Sequence, residues 1–161
     1  MVDILALSEK NAKHLIPEKH PSLMIFIKGH NWHPLPLPNC KVCHGEGGKY
    51  GCGCLYLKYH KFDAVLQLIF DDVVEPGLTS FTHEHAELIR KITELQNWEK
   101  IYIVCSQGVS RSPAIAQVLD RSLNHRSSDY ISPWTLGNPY VRQILALEFC
   151  KSPPPHGDKK W

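Results

Sequence analysis

A chain of 161 residues with 43% hydrophobic and 21% charged side chains has ordinary globular usage and the length of one domain, which excludes wholesale disorder. Eighteen basic residues against 16 acidic ones leave a formal charge of +2, too even a balance to mark a nucleic-acid or anionic-membrane binder. No apolar run approaches the roughly 20 residues that span a bilayer. The opening MVDILALSEKNAKHL has neither a basic leader nor an apolar stretch of signal type. The expectation is therefore a cytoplasmic protein with no membrane and no nucleic-acid partner.

In chain order, Asp3 to Leu7 predicts a short strand, with Ser8 as the N-cap of a helix over 9–15. Pro21 to Ile27 is a mostly apolar run of strand length, as in a strand covered on both faces. From Gly29 to about Tyr59 the composition changes: Pro34, Pro36 and Pro38, six glycines and four cysteines follow without periodicity. Such a stretch cannot build a core and reads as an insertion held by something other than apolar burial. Ala64 to Phe70 predicts the next strand, ending at Asp71 and Asp72. After a loop with Pro76 and Gly77, a helix runs from Thr82 to about Glu94, with Ala86, Ile89, Ile92 and Leu95 on one face. Ile101 to Val104 is a buried strand, and Pro113 sits in the first turn of the helix that follows. Ala114, Ile115, Val118 and Leu119 give that helix its apolar face. Asn138-Pro139-Tyr140 opens a last helix to about Phe149, and the proline-rich tail from Ser152 to Trp161 is expected to fray. Strands alternating with helices predict an α/β three-layer sandwich with a central, mostly parallel sheet. One domain over 1–152 would carry the insertion at about 29–59, leaving 153–161 as a tail.

Between the third apolar strand and its helix lies Cys105-Ser106-Gln107-Gly108-Val109-Ser110-Arg111-Ser112. A loop leading into a helix N-terminus aims backbone N–H groups at one point and forms a nest for anionic oxygens. A guanidinium at Arg111 can clamp two of those oxygens in a bidentate fork, which a lysine cannot reproduce. Cys105 stands at the start of the same loop, where a field that holds phosphate also favours a thiolate nucleophile.

This segment resembles the Cys-x5-Arg-Ser/Thr signature of the protein tyrosine phosphatase superfamily. The run Gly-Val-Ser-Arg-Ser-Pro is especially similar to the dual-specificity branch. Phe70-Asp71-Asp72-Val73, Pro76-Gly77-Leu78 and Asn138-Pro139-Tyr140-Val141 look like elements of small bacterial phosphatases of this kind. The resemblance implies hydrolysis of phosphomonoesters, on protein phosphotyrosine and also phosphoserine or phosphothreonine, through a phosphocysteine on Cys105. It implies that Ser106, Gln107, Gly108, Val109, Ser110 and Arg111 hold the phosphate, and that Ser112 assists the sulfur as it leaves. An upstream aspartate would be the general acid, with Asp72 favoured and Asp71 its rival, 33 and 34 residues before Cys105. No cofactor for catalysis is implied, and the partner is a phosphorylated protein or a small phosphomonoester. One departure stands out: Val104 occupies the place where such sequences usually carry a histidine. The alternative is a weak or inactive phosphate- or phosphopeptide-binding module of the same fold. Sulfur transfer or arsenate reduction would also use an anion nest, but fits neither the Ser-Arg-Ser-Pro run nor the upstream aspartates.

Cys40-x2-Cys43 and Cys52-x-Cys54 place four soft ligands within fifteen residues. Four thiolates suit a closed tetrahedral Zn²⁺ site, which folds a loop too small to fold otherwise and supplies no chemistry. His44, His33 or His60 could replace one of them, and redox-active thiols, an iron–sulfur site or unligated cysteines are the other readings. His83 and His85 read as surface groups at a helix start. Cys150 reads as core packing in the last helix, with a resolving role toward Cys105 as the alternative.

Overall fold

A computed structural model describes residues 1–12, 15–30, 61–126 and 137–151. Four strands form one sheet: β1 (Asp3–Ser8), β2 (Ser22–Lys28), β3 (Ala64–Ile69) and β4 (Lys100–Cys105). The helices are α1 (Glu9–Ala12), α2 (His83–Glu94), α3 (Arg111–Leu123) and α4 (Pro139–Lys151). The strand order is β1-β4-β2-β3 and every pairing is parallel. The chain is thus an α/β protein on a parallel sheet, as the alternation of elements predicted.

This order explains which strands carry continuous apolar runs. β2 and β4 are the two central strands, and every residue of both is buried. A strand covered on both faces has no reason to alternate. β3 lies at one edge, and Gln67 and Ile69 are exposed, so its apolar sequence reflects one covered face and not two.

The pleat divides the core. Leu23, Ile25, Ile27, Ile101, Ile103 and Cys105 face the helices, packing with Ala86, Ile89, Ile115, Leu119, Val141 and Leu145. Met24, Phe26, Tyr102 and Val104 face the other way, with Ala12 and Phe62. On the helical side, Arg90 joins α2 to α4 by donating to Glu148 at 3.2 Å while pairing with Glu94 at 2.9 Å. The helix expected over 9–15 is seen as the four residues of α1, with residues 13 and 14 outside the described set. Thr82 and Asn138 stand just outside the helices they were expected to begin. Among the described residues, no helix is long and apolar enough to cross a membrane.

Because all four strands run the same way, Ser8, Lys28, Ile69 and Cys105 end on the same edge of the sheet. The loops that follow meet there. The carboxyl edge of a parallel sheet is where α/β proteins gather functional side chains.

Candidate active site

Cys105, the last residue of β4, continues the Ile101–Ile103 row toward the helices and is 2% exposed. Its Sγ accepts the Gly108 N–H at 3.2 Å and lies 3.2 Å from the Ser112 hydroxyl. Two constraints fix the turn that aims this N–H. Gly108 has φ +73°, and a Cβ there would stand 2.6 Å from the Ser8 nitrogen. A side chain would meet both backbone strain and the end of β1. The loop therefore closes over the sulfur only with glycine at this position.

Arg111 is the first residue of α3 and is 8% exposed. Its Nη1 donates to the Phe70 carbonyl at 2.8 Å and its Nη2 to the Ser106 hydroxyl at 2.9 Å. The guanidinium is thereby held between the end of β3 and the loop. Its Nε is buried and has no hydrogen-bond partner among the described residues. Buried donors are rarely left so, and a bound anion would satisfy this one. Nearby, a Cβ on Gly29 would sit 2.9 Å from Asp71 Oδ1, so a side chain there would press on that carboxylate.

The two adjacent aspartates are wired differently. Asp71 Oδ1 accepts the His30 N–H at 2.8 Å, and the Asp71 N–H donates to the Thr79 carbonyl at 2.7 Å. These bonds fasten the end of β3 to the end of β2 and close the loop over 72–78. The His30 N–H is the main reason that the Asp71 carboxyl is held below its ordinary range; the Thr79 hydroxyl, His30 and Arg111 add to the effect against desolvation. Asp72 is exposed and reaches the Cys105 loop, where its Oδ1 accepts from Ser110 Oγ at 2.8 Å and from Asn138 Nδ2 at 2.8 Å. Ser106, Gln107 and Val109 are exposed on the loop, uncharged, around the mouth of this arrangement. The structure thus brings Cys105, Ser106, Gly108, Ser110, Arg111, Ser112 and Asp72 into one hydrogen-bonded neighbourhood.

Val104 is fully buried on the face opposite the thiol, paired with Phe26 and Leu7. Its surroundings are the apolar Met24, Phe26 and Tyr102, so valine suits the position. Just beyond, Lys28 follows Met24 and Phe26 along β2, and its side chain is 2% exposed. Its Nζ donates to Glu9 at 2.9 Å and lies 4.3 Å from the Phe26 ring centroid. Burial pushes its pKa down; the bond to Glu9 works against that, and Arg111 adds to the lowering. Nothing local in the sequence marks Lys28 for burial, since its partner is on another element.

Asn138 was read as a helix start within a phosphatase-like element, but its bond to Asp72 was not foreseen. The Asn-Pro pair signals a helix start, but not a bond to a residue 66 positions away. Two expectations are corrected. Cys150 is exposed, so it is not packed in the core. His85 is partly buried: its Nδ1 accepts the Thr82 N–H at 3.0 Å in a capping box, and its ring stacks on Phe81. Burial lowers its pKa. His83 is exposed, as expected. Cys40, Cys43, Cys52 and Cys54, with His33, His44 and His60, lie outside the described residues.

In comparisons of the chain with protein-family models, with curated proteins and with solved structures, nothing matches.

Proposed function

We propose that the protein is a cytoplasmic cysteine-dependent phosphatase resembling the dual-specificity branch of the protein tyrosine phosphatase superfamily. It hydrolyses phosphomonoesters, foremost protein phosphotyrosine. The observation that carries this reading is the sulfur of Cys105 beneath a loop N–H and a hydroxyl, each at 3.2 Å, with Arg111 six residues on, its Nε without a partner among the described residues. A sulfur that accepts a loop N–H beside an anion nest suits the role of nucleophile. The finer architecture belongs to the same reading: a three-layer sandwich with a cysteine-rich insertion at about 29–59.

In the first step, Cys105 Sγ attacks phosphorus and an S–P bond forms as the ester P–O bond breaks. The departing oxygen takes the proton of Asp72. Arg111 and the N–H groups of the loop stabilise the equatorial oxygens of the transition state. In the second step, water attacks phosphorus and gives its proton to the Asp72 carboxylate. The P–S bond breaks, its electron pair returns to sulfur, and the Ser112 hydroxyl donates to that sulfur as phosphate leaves. Asp72 suits the acid's role better than Asp71, whose carboxyl is held charged by the bonds that fasten the strand ends. The uncharged Ser106, Gln107 and Val109 suit a single phosphoryl group and not a polyphosphoinositide headgroup.

Phosphate release from p-nitrophenyl phosphate tests the reading. Wild type should turn over, and Cys105→Ser should fall to the uncatalysed background. Turnover that survives Cys105→Ser would overturn it. Phosphopeptide binding without turnover in wild type would show a binding module instead. We further propose that Cys40, Cys43, Cys52 and Cys54 hold one structural Zn²⁺, which takes no part in the reaction. Metal analysis should give about one zinc per chain, lost in Cys40→Ser/Cys43→Ser; zinc far below stoichiometric in unchelated protein would sink this assignment.

A further inference from the structure

Asn138 is 2% exposed, and every polar group it carries is engaged. Its backbone N–H donates to the Ser110 carbonyl of the Cys105 loop at 3.1 Å. Its Oδ1 accepts the N–H groups of Tyr140 at 3.0 Å and Val141 at 3.2 Å, which caps α4. Its Nδ2 donates to Asp72 Oδ1 at 2.8 Å and to the Val73 carbonyl at 3.0 Å. The partners determine the orientation of the amide. One side faces two donors and the other faces two acceptors, so the flipped amide would lose all four bonds. The residue before it is constrained as well: a Cβ on Gly137 would stand 2.4 Å from the Ala114 nitrogen, so Asn138 is seated directly against the first turn of α3.

A single buried residue therefore joins three parts: by its backbone N–H the loop over Cys105, and by its amide the loop carrying Asp72 and the first turn of α4. Ser110 Oγ donates to the same oxygen of Asp72 at 2.8 Å. Both donors are on Oδ1, and Oδ2 has no hydrogen-bond partner among the described residues. A carboxyl group that must carry a proton to a leaving oxygen needs one oxygen fixed and the other free. Those are the two conditions met here.

We infer that Asn138 is a positioning residue for proton transfer, holding Asp72 by Oδ1 so that Oδ2 carries the proton to the leaving group. The inference rests on the phosphatase reading, and it adds a residue and an atom to it. Asn138 touches no reacting atom and acts through Asp72.

The test separates a positioned acid from a merely stable fold by varying the leaving group. Phenoxide is a poor leaving group and needs its proton in the transition state, whereas p-nitrophenoxide departs with little help. Asn138→Ser keeps an N-cap for α4 but removes the Nδ2 donor. Its kcat on phenyl phosphate should fall about 10-fold, a part of the roughly 10²–10⁴ that a general acid supplies, since Asp72 itself remains. On p-nitrophenyl phosphate it should stay within about 2-fold, with KM unchanged on both substrates. Asn138→Ala should show the same discrimination, with Tm lower by about 2–4 °C from the lost cap. Introducing Asn138→Ser into Asp72→Asn should add no further leaving-group dependence, because the two act through one group. An equal fall on both substrates would overturn the inference while leaving the phosphatase standing. A further leaving-group dependence added by Asn138→Ser on top of that of Asp72→Asn would overturn it too. If wild type turns over neither ester, the phosphatase reading itself has failed.

Discussion

The two edges of the sheet each hold an aspartate bonded to a serine, and the proposed reaction uses only one of them. At the amino edge, Asp63 Oδ2 accepts from His20 Nδ1 at 2.7 Å, from the Ser22 N–H at 2.7 Å and from Ser22 Oγ at 3.0 Å. At the carboxyl edge, Asp72 Oδ1 accepts from Ser110 and Asn138. The amino edge even assembles the residue types of a nucleophilic triad, but the wiring is wrong for one. Ser22 donates to the aspartate and not to the histidine, so nothing withdraws its proton. The donors to Asp63 all come from the segment that begins β2, and the Asp63 N–H donates back to the Ser22 carbonyl at 3.0 Å. Asp63 is a fastener between β2 and β3. Asp72, by contrast, is held beside an anion nest and a buried sulfur. What separates the two sites is the direction of each bond and what else is near, not the inventory of residues.

The largest effect that would sharpen this contrast is at Asp72. Asp72→Asn should lower kcat on phenyl phosphate by about 10²–10³, the scale of a lost general acid, with a much smaller loss on p-nitrophenyl phosphate. Asp71→Asn should behave otherwise, because Asp71 stays charged and ties Phe70's strand end to His30. Its loss should reduce both activities by the same factor and lower Tm. Steady-state kinetics on the two esters, with thermal unfolding beside them, decide it. If Asp71→Asn is the variant that discriminates between leaving groups, the acid has been assigned to the wrong neighbour.

How far these sites were legible in the sequence depended on how local their signals were. The strand, loop and helix around Cys105 were readable because they are contiguous, whereas the contacts that hold Gly108 against Ser8 and Arg111 against Phe70 come from other strands and left no local signal. The parallel sheet followed from alternating elements. Strand position was not readable: β3 is as apolar in composition as β4, and only the order β1-β4-β2-β3 makes it an edge. The bonds made by Asn138, Lys28 and Asp63 were missed for one reason. Their partners lie 66, 19 and 43 residues away, and no periodicity reports such a bond. His85 shows a subtler failure. The capping-box pattern calls for Glu or Gln at that position, and a histidine nitrogen filled the same acceptor role.

The smallest expected effect lies at the amino edge, and it tests the other half of the contrast. The His20 bond is the main cause, with the Ser22 N–H next, that lowers the Asp63 pKa from 3.8 to about 2. A carboxylate with a depressed folded-state value stabilises the fold above its ordinary value, and that stability is lost as pH falls through the folded one. Asp63 should therefore contribute in full above pH 3.8 and lose its contribution down to about pH 2. Its side chain is 41% exposed, so solvent screening keeps the contribution at or below about 1 kcal/mol. In urea titrations, Asp63→Asn should be slightly less stable than wild type at neutral pH. The gap should close between those two values, with kcat at pH 7 unchanged on either ester. A fall in kcat without a fall in stability would mean that the amino edge communicates with Cys105, and the division between fastening and acting aspartates would not hold.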